Sequence, residues 1–90
     1  MKMFVYIARC NDDSLYTGVT QNLDRRIWQH NHSRLGARSL KGKRPVFLKY
    51  FESYATIQEA LTREREIKGW KKEKKEKLIA LAPVLSKTKC

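Results

Sequence analysis

The sequence predicts an α/β domain of the α+β kind: a small three-stranded, mainly antiparallel sheet flanked by helices, in the order β-β-α-β-α-α. Three observations carry this. Residues 3–10 and 46–51 are rich in β-branched and aromatic types, as strands are. The run Asn11, Asp12, Asp13 joins the first of these to a second such stretch, residues 14–20, and short side chains that bond their own backbone make a hairpin turn. Residues 22–32 and 56–81 then carry apolar side chains at helical spacing. Ninety residues suffice for one domain. We place it at residues 1–84, with 85–90 as a frayed tail beyond the stop at Pro83.

In the hairpin, a three-residue turn pairs Ala8 with Tyr16 and Tyr6 with Gly18. Tyr6, Tyr16 and Gly18 then share one face, and Val5, Ile7, Leu15 and Val19 share the other. A glycine inside a strand weakens it unless something must come close there, so open space is expected opposite Tyr6. Asn22 is a suitable cap for the first helix, and Asp24 in its first turn complements the helix dipole. Leu23 and Ile27 mark its inward face. Arg26 and His30, four residues apart, lie side by side along that face.

Residues 33–44 contain Gly36 and Gly42, few apolar side chains and many cations, and read as a surface loop that Pro45 ends. The third strand follows. Ser53 or Thr56 caps the next helix, whose inward face is marked by Ile57, Ala60, Leu61 and Ile67. Glu64 falls in that stripe where periodicity asks for leucine. A carboxylate there must be paired, with Arg26 or Lys68 as partner, or protonated, or bound to a metal. Gly69 breaks the helix, and a last one spans residues 71–81 with Leu78, Ile79 and Leu81 turned inward.

Twenty Lys and Arg against nine Asp and Glu leave a net charge of +11. That favours a polyanionic partner, nucleic acid or an anionic membrane surface. No acidic residue lies between Asp24 and Glu52, a stretch holding Arg25, Arg26, Arg34, Arg38, Lys41, Lys43, Arg44 and Lys49. If the loop borders a cleft, Arg25, Arg34, Arg38, Lys41, Lys43 and Arg44 form a basic rim for a phosphate backbone; the plainer reading is a solubilising loop. The lysine run from Lys71 to Lys77 is interleaved with Glu73 and Glu76 and reads as a solvated face. No apolar run reaches the ~18–20 residues of a membrane span, and no signal-peptide layout opens the chain. Cys10 and Cys90 supply neither a zinc site nor a disulfide framework and are read as reduced thiols of a cytoplasmic protein.

Each polar residue taken singly has a plain structural reading, the tyrosines as core-edge residues and Arg26 and His30 as snorkelling side chains. Together they describe a cleft with two phenols, a guanidinium, an imidazole and a carboxylate. In this set, Val5-Tyr6-Ile7 and Tyr16-Thr17-Gly18 resemble the paired motif of the GIY-YIG nuclease superfamily, with Val5 and Thr17 standing where the family has Gly and Ile. Residues 20–31, with Arg26 and His30, resemble that family's helix, and residues 60–68 the helix bearing its metal-binding Glu. The likeness spans roughly residues 3–80 and is greatest to the small standalone bacterial branch. It shows neither the Asn that some members carry after the Glu nor a His in the loop.

The resemblance implies hydrolysis of phosphodiester bonds in DNA, with a place in repair or recombination. Tyr6 and Tyr16 would position or deprotonate the attacking water, Arg26 would hold the scissile phosphate, and His30 would assist proton transfer or bind phosphate. Gly18 would be structural. Glu64 would bind one magnesium ion, with manganese as its substitute. The implied partner is nucleic acid, DNA in preference to RNA, met by a monomer that a protein partner could target. No membrane role is expected, because the basic helices also carry Glu and show no aromatic anchor face. The alternative is a non-catalytic nucleic-acid-binding module of the same fold.

Overall fold

A computed structural model describes residues 2–32 and 42–81. Strand β1 (Met3–Arg9) and strand β2 (Leu15–Thr20) form the hairpin, followed by helix α1 (Leu23–His32). Strand β3 (Phe47–Tyr54), helix α2 (Ile57–Lys68) and helix α3 (Lys72–Leu81) complete the predicted order. The sheet is antiparallel throughout, with β1 central in the order β2-β1-β3. No helix among the described residues is long and apolar enough to cross a membrane. The predicted cations Arg34, Arg38 and Lys41, together with Pro83, Cys90 and the 85–90 tail, lie outside the described residues.

The hairpin register is the one the turn length demands: Tyr6 faces Gly18 and Ala8 faces Tyr16. Cys10 and Ser14 close the turn, the Cys10 N–H donating to the Ser14 carbonyl at 2.8 Å. Asp13 takes a left-handed φ of 71°, which Asp tolerates better than most residues. Period-two alternation splits the sheet into two faces. Met3, Val5, Ile7 and Tyr50 pack under α2 and α3 with Ala60, Ile67, Leu78 and Ile79. Tyr6, Ala8, Cys10 and Val46 pack under α1 with Leu23 and Ile27.

Strand β3 runs to Tyr54, three residues beyond the predicted end, because Ser53 and Tyr54 pair with Phe4 and Met3. Ser53 is therefore in the ladder, and Thr56 caps α2. Its side chain accepts from the Glu59 N–H at 3.2 Å while Glu59 reaches back to the Thr56 N–H, a capping box. A bulge at Lys49 resets the alternation, so that Leu48 and Phe51 face α1 while Tyr50, Glu52 and Tyr54 face α2.

Two expected apolar faces differ. Ile57 and Leu61 are 47% and 41% exposed, because α2 turns the row Ala60, Arg63, Ile67 towards the sheet and leaves them on its flank. Arg63 is drawn in by Glu52, to which it donates from Nε at 2.9 Å and from a terminal nitrogen at 3.0 Å. Leu81 is exposed rather than inward. It is the last residue of α3, where the helix has run past the sheet-packed pair Leu78 and Ile79.

Candidate active site

The site is built on the face of the sheet covered by α1. Tyr6 comes from the central strand and is 1% exposed; His30 comes from the last turn of α1 and is fully buried. The Tyr6 hydroxyl and His30 Nε2 are 2.7 Å apart. Tyr16, one strand over, sets its ring edge-on against the His30 ring at 5.3 Å and tilted to Tyr6 at 6.1 Å. Three rings from three elements thus form one cluster. The α1 spacing explains the fourth member: Arg26 lies one turn before His30. Its guanidinium lies close enough to the Tyr6 phenol to favour the charged form, and donates to Gln29 Oε1 at 3.1 Å.

Gly18 does not leave the open space expected opposite Tyr6. A Cβ at position 18 would meet the Tyr6 hydroxyl at 2.7 Å and Tyr16 Cε2 at 3.0 Å. The group that must approach is the Tyr6 phenol, and the missing side chain is what lets it lie flat against β2.

Burial sets the protonation states. It drives the Tyr6 phenol well above its ordinary value, helped by Tyr16 and Glu64 and opposed by Arg26. It pushes His30 down to about 4, helped by the positive charges of Arg26 and Arg44. At neutral pH the pair is an uncharged phenol on an uncharged imidazole, with one hydrogen-bonded proton between them.

Beside this cluster an open cleft of about 380 Å³ runs between the end of β2 and α1, lined by Thr20, Gln21, Asn22, Arg25, Arg26 and Gln29. Asn22 is the expected cap: its Oδ1 accepts from the Arg25 N–H at 3.0 Å. Of the predicted rim, Arg25 lines the cleft and Arg44 stands close enough to His30 to depress it electrostatically. Lys43 goes elsewhere, to the hairpin turn, where its ammonium lies 3.8 Å from Asp12. The Arg44 approach was not legible locally. It depends on Asn31, whose side-chain amide accepts from the Val46 N–H at 2.6 Å and donates to its carbonyl at 2.9 Å, tying that segment to α1.

Glu64 lies on the flank of α2 and is partly buried. Its carboxylate meets Lys68 at 3.3 Å, one of the two partners expected, and its charge reaches Tyr6. No group of three or more His, Cys, Asp or Glu side chains that could enclose a metal occurs among the described residues. Glu64 does not line the cleft, but a single carboxylate whose charge reaches Tyr6 still suits magnesium, which is held by one or two carboxylates and completes its shell with water and phosphate.

The profile of the GIY-YIG catalytic domain matches residues 2–77. The chain belongs to the GIY-YIG family. Its relatives include a UPF0213 protein of Staphylococcus epidermidis, 49% identical over 78 residues that cover 87% of this chain and 94% of that one. A UPF0213 protein of the archaeon Haloquadratum walsbyi is 47% identical over 83% of both chains. The solution NMR structure of a UPF0213 protein from Bacillus halodurans matches with a TM-score of 0.59 at 39% identity, over 91% of this chain and 86% of that one. The GIY-YIG assignment supports a nuclease-like function and a nucleic-acid partner. In this GIY-YIG domain the two motif tyrosines and the motif glycine fall together in one hairpin.

Proposed function

We propose that this protein is a metal-dependent endonuclease that hydrolyses phosphodiester bonds in DNA inside the cell, in a repair or recombination setting. The observation that carries the reading is the buried Tyr6–His30 hydrogen bond beside an arginine-lined cleft. A phosphodiester seated in the cleft would be held by Arg26, with Arg25 at the mouth. Tyr6 and Tyr16 would orient the attacking water. As Tyr6 Oη receives the water's proton, its own proton would pass to His30 Nε2.

The low basicity of His30 in the free protein suits this arrangement. Two guanidiniums contribute to depressing it. A bound phosphate monoanion offsets their charge, so the imidazole becomes a better acceptor when substrate is present. Glu64 would hold magnesium, or manganese in its place. When bound, that ion supplies Lewis-acid stabilisation of the leaving oxygen.

The test is a panel of supercoiled, single-stranded, flapped and branched DNA, plus RNA, with and without magnesium. Cutting of DNA that stops on chelation is the expected result. One observation favours a second reading: Glu64 is already engaged by Lys68. Binding without cutting across the whole panel would make the protein a nucleic-acid-binding module on a nuclease fold.

A further inference from the structure

On the face of the sheet opposite α1, helix α3 carries a charged surface that the cleft chemistry does not use. Leu78 and Ile79 pack against the sheet, while Lys71, just ahead of the helix, and Lys74 and Lys77 within it are exposed. They follow one another at three-residue intervals, a rise of about 4.5 Å each. With Glu73 they line a concavity of about 420 Å³.

Glu73 shares the concavity but forms no ion pair with them among the described residues, which leaves three cations against one carboxylate. Glu76 turns inward and takes two hydrogen bonds from the Arg9 guanidinium, at 2.8 and 2.6 Å. Lys72 is the lysine that pairs with carboxylates there, 3.2 Å from Asp13 and 4.0 Å from Glu76. No ion pair among the described residues takes up Lys71, Lys74 or Lys77. The row is also anchored. The Trp70 ring lies 4.3 Å from the Lys74 ammonium and 5.1 Å from the Arg63 guanidinium, which fixes the head of the concavity.

We propose that α3 is a second nucleic-acid contact, in which Lys71, Lys74 and Lys77 grip the phosphate backbone of a DNA segment distinct from the one in the cleft. One molecule then holds two segments at once. The distinctness follows from shape and stiffness. The cleft and α3 lie on opposite faces of a body about 30 Å across. Duplex DNA is stiff over about 150 base pairs, so a short straight duplex cannot touch both faces. A lipid surface is a poorer match, because Leu78 and Ile79 are spent on the sheet and Leu81 alone does not make an insertion face. The proposal rests on the nucleic-acid reading of the cleft.

The test uses the full chain in chelator, so that cutting plays no part. Two short duplexes carrying donor and acceptor dyes are mixed with protein, energy transfer is read, and sedimentation gives the stoichiometry. One protein with two duplexes is expected. In the Lys71→Gln/Lys74→Gln/Lys77→Gln variant the second duplex should be lost about tenfold or more, and the salt slope of that step should fall by about 2–3. Binding of the first duplex should be unchanged.

The proposal is overturned if the parent saturates with one duplex, if the bridged complex contains two proteins, or if the triple variant still bridges. It is equally overturned if the variant loses the first duplex as well, since the lysines would then extend the cleft track. Binding of anionic vesicles, lost in the triple variant while no bridged complex forms, would assign the surface to lipid. Failure of any duplex to bind would instead remove the cleft reading itself, and the first binding step reports that separately.

Discussion

The hydroxyl of Tyr6 fills the space that a side chain on Gly18 would need, 2.7 Å from where its Cβ would stand. One residue's missing side chain therefore sets the position of another residue's reactive atom. Gly18→Ala should push the phenol away from His30, and Gly18→Val should do so more strongly. Overpacking of this kind costs about 1–3 kcal/mol. We expect a lower melting temperature and a shift of the His30 ring resonances in both variants. An unchanged His30 signature in Gly18→Val would show that the phenol is not held by this contact.

The two tyrosines should respond differently to loss of a hydroxyl. Tyr6→Phe leaves His30 Nε2 buried without its partner, at a cost of about 1–3 kcal/mol. Tyr16 is only partly buried, so Tyr16→Phe should be nearly neutral for folding. Both should cut DNA more slowly. Denaturant titration alongside a cleavage assay separates the effects, and equal stability losses would contradict the difference in burial.

Acid stability should carry the mark of His30. Its folded value of about 4 lies below the ordinary 6.5. Between those pH values the unfolded chain binds a proton that the folded one refuses. Stability from this group is full above about pH 6.5 and is lost as pH falls through about 4, amounting to ~3 kcal/mol. In His30→Gln the part of the acid slope between those limits should disappear. A parent whose stability is flat from pH 7 to 4 would contradict the burial of a neutral imidazole.

Thr17 offers a stabilising change. Its hydroxyl is buried on the face packed by α2 and has no hydrogen-bond partner among the described residues. Thr17→Val keeps the β-branched shape and removes the orphaned oxygen, which should raise stability by about 1 kcal/mol. Thermal melting checks this. Destabilisation would mean that the hydroxyl finds a partner in solution.

Glu64→Gln should leave folding nearly untouched. Its ion pair joins it to a lysine that is 54% exposed, one turn along the same helix, an arrangement worth ~0.3–0.5 kcal/mol. Binding of DNA should be retained or improved, since a negative charge that reaches Tyr6 is removed, while magnesium-dependent cutting should be abolished. Cutting at the parent rate by this variant would remove Glu64 from the metal site.

Local rules were enough for much of this molecule. The pairing of Tyr6 with Gly18 follows from strand alternation and the length of one turn, and the neighbouring of Arg26 and His30 follows from four-residue helical spacing. Asn22 announces its helix through cap chemistry that acts within three residues, whereas Ser53 and Thr56 both qualified for the next helix until the β3 ladder took Ser53. Each of these rests on forces between residues close along the chain or on the period of a single element.

Only the tertiary structure decided what met across elements. It set Tyr6 against His30 at hydrogen-bond distance, filled the space at Gly18 with the phenol, and used Asn31 to hold the segment that brings Arg44 towards the imidazole. It also turned Arg63 rather than Leu61 towards the sheet, because Glu52 on β3 offered a carboxylate that two tyrosines already bonded. Hydrophobic periodicity ranks Leu61 as the inward residue. A bidentate partner on another strand overrides that ranking, and its position is fixed by a bulge at Lys49 that no pattern within α2 can register.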